Sequence, residues 1–410
     1  MIGWLQLTDE QKRTVIGEAE RESGIPAYVI EKDWWVTLTL KALFQSQYSQ
    51  HMVFKGGTSL SKGWDLIARF SEDIDIALDP AAFGMAYAEN PSRGFVNQLK
   101  RAGCDFTTNQ LRTELENQFR ALGVPDGILT IEAEPVPAQR PDTDPQTLYV
   151  NYNSLYPRNE YVEPRVKIEV SVRSLSVPSR QAEMQTILNK YHPLTVYGET
   201  PFSVETVEPR KTFLEKIFLL HEEFSKPDVA RIRTERMSRH LYDLGKIMQT
   251  DVLAQALSDH ALYEELIQHR EWYSKITGVD YTTHSHNTVS FIPPDAVIDQ
   301  YRSDYQTMLE EMIYEEEALA FDALIAQLKI LQGKVRLKNQ PIALEEVFEK
   351  AVDQIKQSDS YDAGQDAIHI TSVVYLSDPY KAAGPDNQSI TLQVTVLYSN
   401  GHFMLESIST

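Results

Sequence analysis

The chain has 410 residues, 42% of them hydrophobic and 24% charged, and carries a formal net charge of −20. That length calls for two or three domains, and that balance is the one of ordinary globular proteins. The acidic excess excludes a broad electrostatic grip on nucleic acid, so any RNA would have to be held by a local basic patch.

No apolar run approaches the ~20 residues that span a bilayer. The opening "MIGWLQLTDEQKRTV" lacks the basic start and apolar block of a signal peptide. The single cysteine, Cys104, permits no internal disulfide and makes no zinc site by itself. A cytoplasmic address with no membrane contact is expected.

"LTDEQKRTVIGEAERESG" predicts a helix capped by Thr8 or Asp9 and stopped at Gly24. "PAYVIEKDWWVTLTLKALF" predicts a second. "HMVFKGG" is a short strand running into glycine, Gly57–Ala68 reads as helix, and "DIDIAL" as strand. "NQLRTELENQFRALG" is an amphipathic helix stopped by Gly123. "ILTIEAEPV", "TLYVNYNSLY" and "PRVKIEVSVRS" alternate as half-buried strands do. From about 208 to 332 the pattern is helical, broken at Thr277–Pro294, where His284 and His286 in "THSHN" read as polar loop residues in preference to metal ligands. Beyond about 340 come one helix, "LEEVFEKAVDQIKQS", and strands around Asn400-Gly401, a hairpin signal.

The chemistry concentrates in "FKGGTSLSKGWDLIARFSEDIDIAL". Residues two apart on a strand share a face, so Asp73 and Asp75 point together while Ile74 and Ile76 point to the core. Two carboxylates at one spot repel, and a cation between them is the usual remedy. Mg²⁺, or Mn²⁺ in its place, is the occupant where phosphoryl or nucleotidyl groups move. In "RVKIEVSVR" the same alternation puts Glu169 on the polar face, a third acid able to deprotonate an attacking hydroxyl if that strand pairs beside the first. Gly56 and Gly57 permit close approach of backbone to ligand. Thr58 or Ser59 would cap the next helix, Ser59 Oγ would reach a phosphate, and Lys62 would add charge. No Walker-type loop or kinase motif set competes.

The order Gly-Gly-Thr-Ser followed by Asp-x-Asp resembles the polymerase-β-type nucleotidyltransferase superfamily. The wording "FKGGTSLSK…RFSEDIDI", preceded by "IEKDWWVTLTLKALF", is similar to the AbiEii/AbiGii-type toxins of type IV toxin–antitoxin and phage-abortive systems, over roughly residues 10 to 335. The resemblance implies two more site positions, Lys216 in "FLEKIFLL" and Asp243 in "RHLYDL". Residues alone place Arg236, Arg239, His240 and Asp243 at helical spacing on one face, within a basic cluster between Lys226 and Lys246 suited to a triphosphate or an RNA end.

The expected architecture is α+β: a polymerase-β-like core with a small mixed sheet (1–205), a helical domain completing the nucleotide site (206–335), and a small α+β appendage (340–410). The expected activity is Mg²⁺-dependent transfer of NMP from GTP, CTP or ATP to an acceptor hydroxyl, on a tRNA 3′ end or a protein, by a toxin with a cognate antitoxin. A small-molecule nucleotidyltransferase and a non-catalytic nucleotide-binding module are the alternatives.

Overall fold

The computed structural model describes residues 2–157, 163–193, 199–315 and 317–337, and three strands between 368 and 409. Residues 1–284 with 290–328 form one compact unit; 285–289 with 329–410 form another.

In the first unit, α1 (Asp9–Ser23) opens with Thr8 and Gln11 in a reciprocal capping box and ends at Gly24, whose φ of 70° is the left-handed stop that glycine adopts without strain. α2 (Ala27–Phe44) is buried on almost every side. Its central charges survive there because each has a partner. Glu31 accepts from Ser154 Oγ and Leu155 N, Lys32 meets Glu72 at 2.6 Å, and Asp33 meets Lys62 at 2.6 Å.

Seven strands follow: β1 (Met52–Lys55), β2 (Ile74–Leu78), β3 (Leu129–Ala133), β4 (Gln146–Tyr152), β5 (Arg165–Ser171), β6 (Ser179–Met184) and β7 (Phe202–Val207). They form one mixed sheet in the order β3-β4-β5-β2-β1-β7-β6. β2 runs antiparallel to β1 and parallel to β5. One face carries Ile74, Ile76, Ile168 and Val170 into a core shared with Trp34, Trp35 and Leu38 of α2. On the opposite face Val53, Ala77 and Val207 make a small apolar patch. The polar residues of β1, β2 and β5 lie on that second face, and a cavity opens there.

α3 (Arg93–Phe106) and α4 (Arg112–Ala121) are joined through a wider turn at Thr107–Leu111, and the helix ends before Gly123. Beyond the sheet come α5 (Pro209–Phe224), α6 (Ser238–Ile247), α7 (Asp251–Ser258), α8 (His260–His269), α9 (Ile298–Glu311) and α10 (Phe321–Leu337). Among the described residues no helix is long and apolar enough to cross a membrane.

Several local expectations need correction. The helix expected over Gly57–Ala68 stops at Gly63, and an irregular segment then carries the chain to β2. That segment is held by backbone bonds from Phe70 N to Met312 O and from Tyr314 N to Ala68 O. β6 and β7 are strands that no alternation announced. His284, read as a loop residue, is fully buried and stacked on Tyr281 at 4.8 Å.

In the second unit β8 (Ile368–Tyr375), β9 (Thr391–Tyr398) and β10 (Phe403–Ser409) form an antiparallel sheet in the order β10-β9-β8. Leu397 pairs with Phe403, so the two strands that flank Asn400-Gly401 are antiparallel neighbours, one residue out of the register a two-residue turn there would give. The turn at Asn400-Gly401 and the helix expected over 344–358 lie outside the described residues. His286 belongs to this unit and is buried, with Nδ1 at 3.2 Å from Val335 O.

Candidate active site

Strand register assembles the centre. Asp75 is the neighbour of Lys55 across the β1–β2 pair and of Glu169 across the β2–β5 pair, which makes one cross-strand row on the polar face. Asp73 precedes β2 by one residue. Glu72, on the alternate side, is taken up by Lys32 and by Arg236 Nη2 at 2.7 Å.

The two glycines have a steric reason. Gly56 has φ +79°, and a Cβ on it would stand 1.9 Å from Asp75 Oδ2. A Cβ on Gly57 would stand 2.7 Å from Arg69 Nη2 and 2.8 Å from Ser71 Oγ. The bare bend lets an aspartate and an arginine press against main chain where any side chain would displace them. Gly56→Ala should therefore cost activity well before it costs folding, read as lost transfer with a near-normal circular dichroism spectrum.

These residues line a cavity of about 340 Å³, together with Lys216, Arg239, His240, His269 and Arg270. In a chain with a charge of −20, the cavity wall holds seven lysines and arginines against four carboxylates. It is locally positive. Lys55 and Arg239 make no ion pair among the described residues, so their charge is available to an anionic ligand.

Burial and crowding act on the acids. Asp75 is pushed up to about 7, first by loss of solvent and then by Glu169 and Asp73, against the opposing pull of Lys55. Asp73 is raised as well, again chiefly by burial, with Glu72 and Glu169 adding to it. Glu169 is engaged by Lys167 at 2.8 Å. Among the described residues no group of three acid, histidine or cysteine side chains stands ready to enclose a metal ion. The Asp73–Asp75 pair nevertheless fits a divalent cation on chemical grounds: two hard oxygen donors, poorly solvated, both held above the ordinary carboxylate range chiefly by burial.

Behind the wall, Asp243 is fully buried and accepts from Arg69 Nε and Nη2, both at 2.7 Å, and from Lys216 Nζ at 2.8 Å. Burial works against its charge, but Arg69 and Lys216 hold its carboxyl far below the ordinary range. Lys216 reaches the cavity with its ammonium braced from behind.

Asp243 thus stands off the cavity, and four more of the sequence candidates sit elsewhere. Thr58 Oγ1 donates to Asp73 O at 2.6 Å, and the fully buried Ser59 Oγ donates to Gly56 O at 2.8 Å. Both hydroxyls brace the bend from within; neither lines the cavity. Lys62 Nζ turns to Asp33 and to Gln185 O at 2.8 Å. Arg236 precedes α6, at φ +56°, and is spent on Glu72. The basic cluster between Lys226 and Lys246 therefore does not form one face. Lys226 and Arg233 bind Glu223 and Lys246 binds Glu315, while Arg233 and Arg239 are the members that line the cavity.

Lys55, Arg69 and Arg270 are cavity residues that sequence reasoning did not single out. Lys55 carried a signal, since it shares a strand face with Val53 directly before the glycines. Arg270 carried none, because only the packing of α8 against α5 brings it there.

His269 yields a pH prediction. Burial holds its imidazole down at about 4, with Nε2–H donating to Arg173 O at 2.7 Å. The unfolded chain protonates it near 6.5, so between those values the unfolded state binds more protons and stability falls as pH drops. His240, buried beside Lys216 and Arg239, acts in the same direction. Denaturant unfolding should show a loss of about 2 kcal/mol from His269 on going from about pH 7 to pH 5. His269→Gln should flatten that slope, and an unchanged slope would remove His269 as its cause.

Residues 39–327 match the family model described as "Nucleotidyl transferase AbiEii toxin, Type IV TA system". A search of curated proteins finds no match.

Proposed function

The chain belongs to the nucleotidyl transferase AbiEii toxin family of type IV toxin–antitoxin systems, and from that premise we propose that the cavity on the polar sheet face is its catalytic site. The family implies a nucleotide substrate and a cognate antitoxin. The finer reading is transfer of NMP from GTP, CTP or ATP to a hydroxyl at an RNA 3′ end, tRNA foremost. One observation supports transfer at this cavity: a desolvated carboxylate pair under a diglycine bend, faced by cations that are braced or, among the described residues, make no ion pair, in an otherwise acidic protein.

Asp73 and Asp75 are the residues that would hold Mg²⁺ or Mn²⁺, with Glu169 joining them once released from Lys167. The cation's contribution is to neutralise the acids and polarise phosphate oxygens. The protein does the rest. Gly56 and Gly57 expose backbone to the triphosphate, while Lys55, Lys216, Arg239 and Arg270 neutralise its charge. Glu169 takes the proton of the acceptor hydroxyl as its oxygen bonds to the α-phosphorus. The bond from that phosphorus to the bridging oxygen breaks, and pyrophosphate leaves. Asp243 stays out of contact and fixes Lys216 and Arg69.

Incubating the protein with each α-labelled NTP, total tRNA and Mg²⁺ should label RNA and release pyrophosphate. Label confined to small alcohols or amines would move the acceptor to the small-molecule class, and binding without transfer would sink the enzymatic reading.

A further inference from the structure

Arg270 enters the cavity from the residue immediately after α8, and what aims it is a buried chain of contacts running away from the cavity. Glu222 of α5, 4% exposed, accepts from Arg270 Nε at 2.7 Å and from Arg270 Nη2. This is the two-point carboxylate–guanidinium geometry that fixes orientation as well as charge. It uses the Nε–Nη2 edge and leaves Nη1 for an anion.

Glu222 is itself held. Its Oε1 lies 3.4 Å from Nε2 of His284, which is fully buried. That imidazole is stacked on Tyr281 at 4.8 Å and meets the edge of His221 at 4.7 Å. His284 Nδ1 has no hydrogen-bond partner among the described residues. A buried orphan nitrogen costs stability, so a well-packed apolar residue would serve a purely structural purpose better.

We infer that Glu222 and His284 are positioning residues for nucleotidyl transfer: Glu222 orients the Arg270 guanidinium toward the triphosphate, and His284 orients Glu222. The inference rests on the cavity being the nucleotide site. The arrangement parallels Asp243 behind Lys216, so two buried carboxylates each present a braced cation to the same cavity. A structural ion pair tying α5 to α8 would stabilise the fold without changing affinity for phosphate.

The test is calorimetric binding of inorganic tripolyphosphate with Mg²⁺ to the full-length protein. Arg270→Ala and Glu222→Gln should each weaken binding by roughly tenfold to a hundredfold, the range seen when outer partners of a ligating group are removed. The double variant should bind no more weakly than Arg270→Ala alone, because Glu222 acts only through Arg270. Glu222→Asp should recover part of the loss. Should Glu222→Gln fail to fold, His284→Gln carries the same test, with the same required dependence on Arg270. Wild-type affinity in folded Glu222→Gln and His284→Gln, or additive losses in the double variant, would overturn the inference. If Lys216→Ala still weakens binding in that case, the site reading stands. No binding by the wild type would remove both.

Discussion

Replacing Asp75 with asparagine is expected to lower nucleotidyl transfer on the order of a thousandfold and, in the cation-free protein, to raise stability. Both effects follow from one environment. Asp75 lies under Gly56, between Lys55 and Glu169, where its carboxyl is pushed up to about 7. The unfolded chain gives up that proton near 3.8, the native state only near 7. The native state therefore binds more protons across the window, and stability falls as pH climbs through it. Above the window the full penalty is on the order of 4 kcal/mol, shared with Asp73, whose carboxyl burial raises as well. Asparagine keeps the shape that fits beneath the bend and deletes the charge. Melting with a chelator should show the variant above wild type near pH 8 and level with it below about pH 4. Added Mg²⁺ should raise wild type only. Undiminished transfer would remove Asp75 from the reaction, and a variant less stable near pH 8 would show that the carboxylate is not strained as argued.

How far the sequence foretells such a site depends on what each residue needs from tertiary structure. Asp73, Asp75 and Glu169 were legible because strand alternation is local, and the parallel pairing of β2 with β5 needed only to bring the two polar faces level. The helices bearing Lys216 and Asp243 were legible from their apolar period. The hydroxyls of Thr58 and Ser59 were misjudged for a different reason. The Ser59 hydroxyl is taken by the bend's own carbonyl at Gly56 and the Thr58 hydroxyl by the carbonyl of Asp73, and these acceptors outcompete a ligand.

Lys62 and Arg236 show the same limit for charge. Each looked free in one dimension, and each is claimed by an acid distant in sequence, Asp33 and Glu72. β6 was illegible because it is a polar edge strand, pairing with β7 alone and largely open to solvent. α2 was legible as a helix but not as an enclosed one, since its buried charges hide their partners in other elements. The glycines were singled out for close approach of a ligand, and what their missing side chains leave room for in the fold is Asp75 and Arg69.

Asp243→Ala should be the most destabilising single change in the site, by about 3–5 kcal/mol, and should abolish nucleotide binding as well. Arg69 is 4% exposed, Lys216 6%, and Asp243 not at all. One carboxylate therefore offsets two buried cations, and deleting it leaves both without compensation. The carboxyl sits far below its ordinary range, so its stabilisation is complete above the unfolded value near 3.8 and disappears only as pH falls toward the native value. At neutral pH the loss in the variant is the whole contribution. Lys216→Met separates structure from function. It removes a cation and leaves Arg69 and Asp243 a balanced bidentate pair, so stability should fall by less than half as much, while the cavity loses the ammonium braced against Asp243. In the double variant the methionine should restore part of the stability lost with Asp243, because one of the two stranded charges is gone. Urea unfolding of the two single variants and the double completes the cycle. Additive losses would mean that Lys216 and Asp243 do not interact in the folded protein, and the braced-cation account of the cavity wall would fail there.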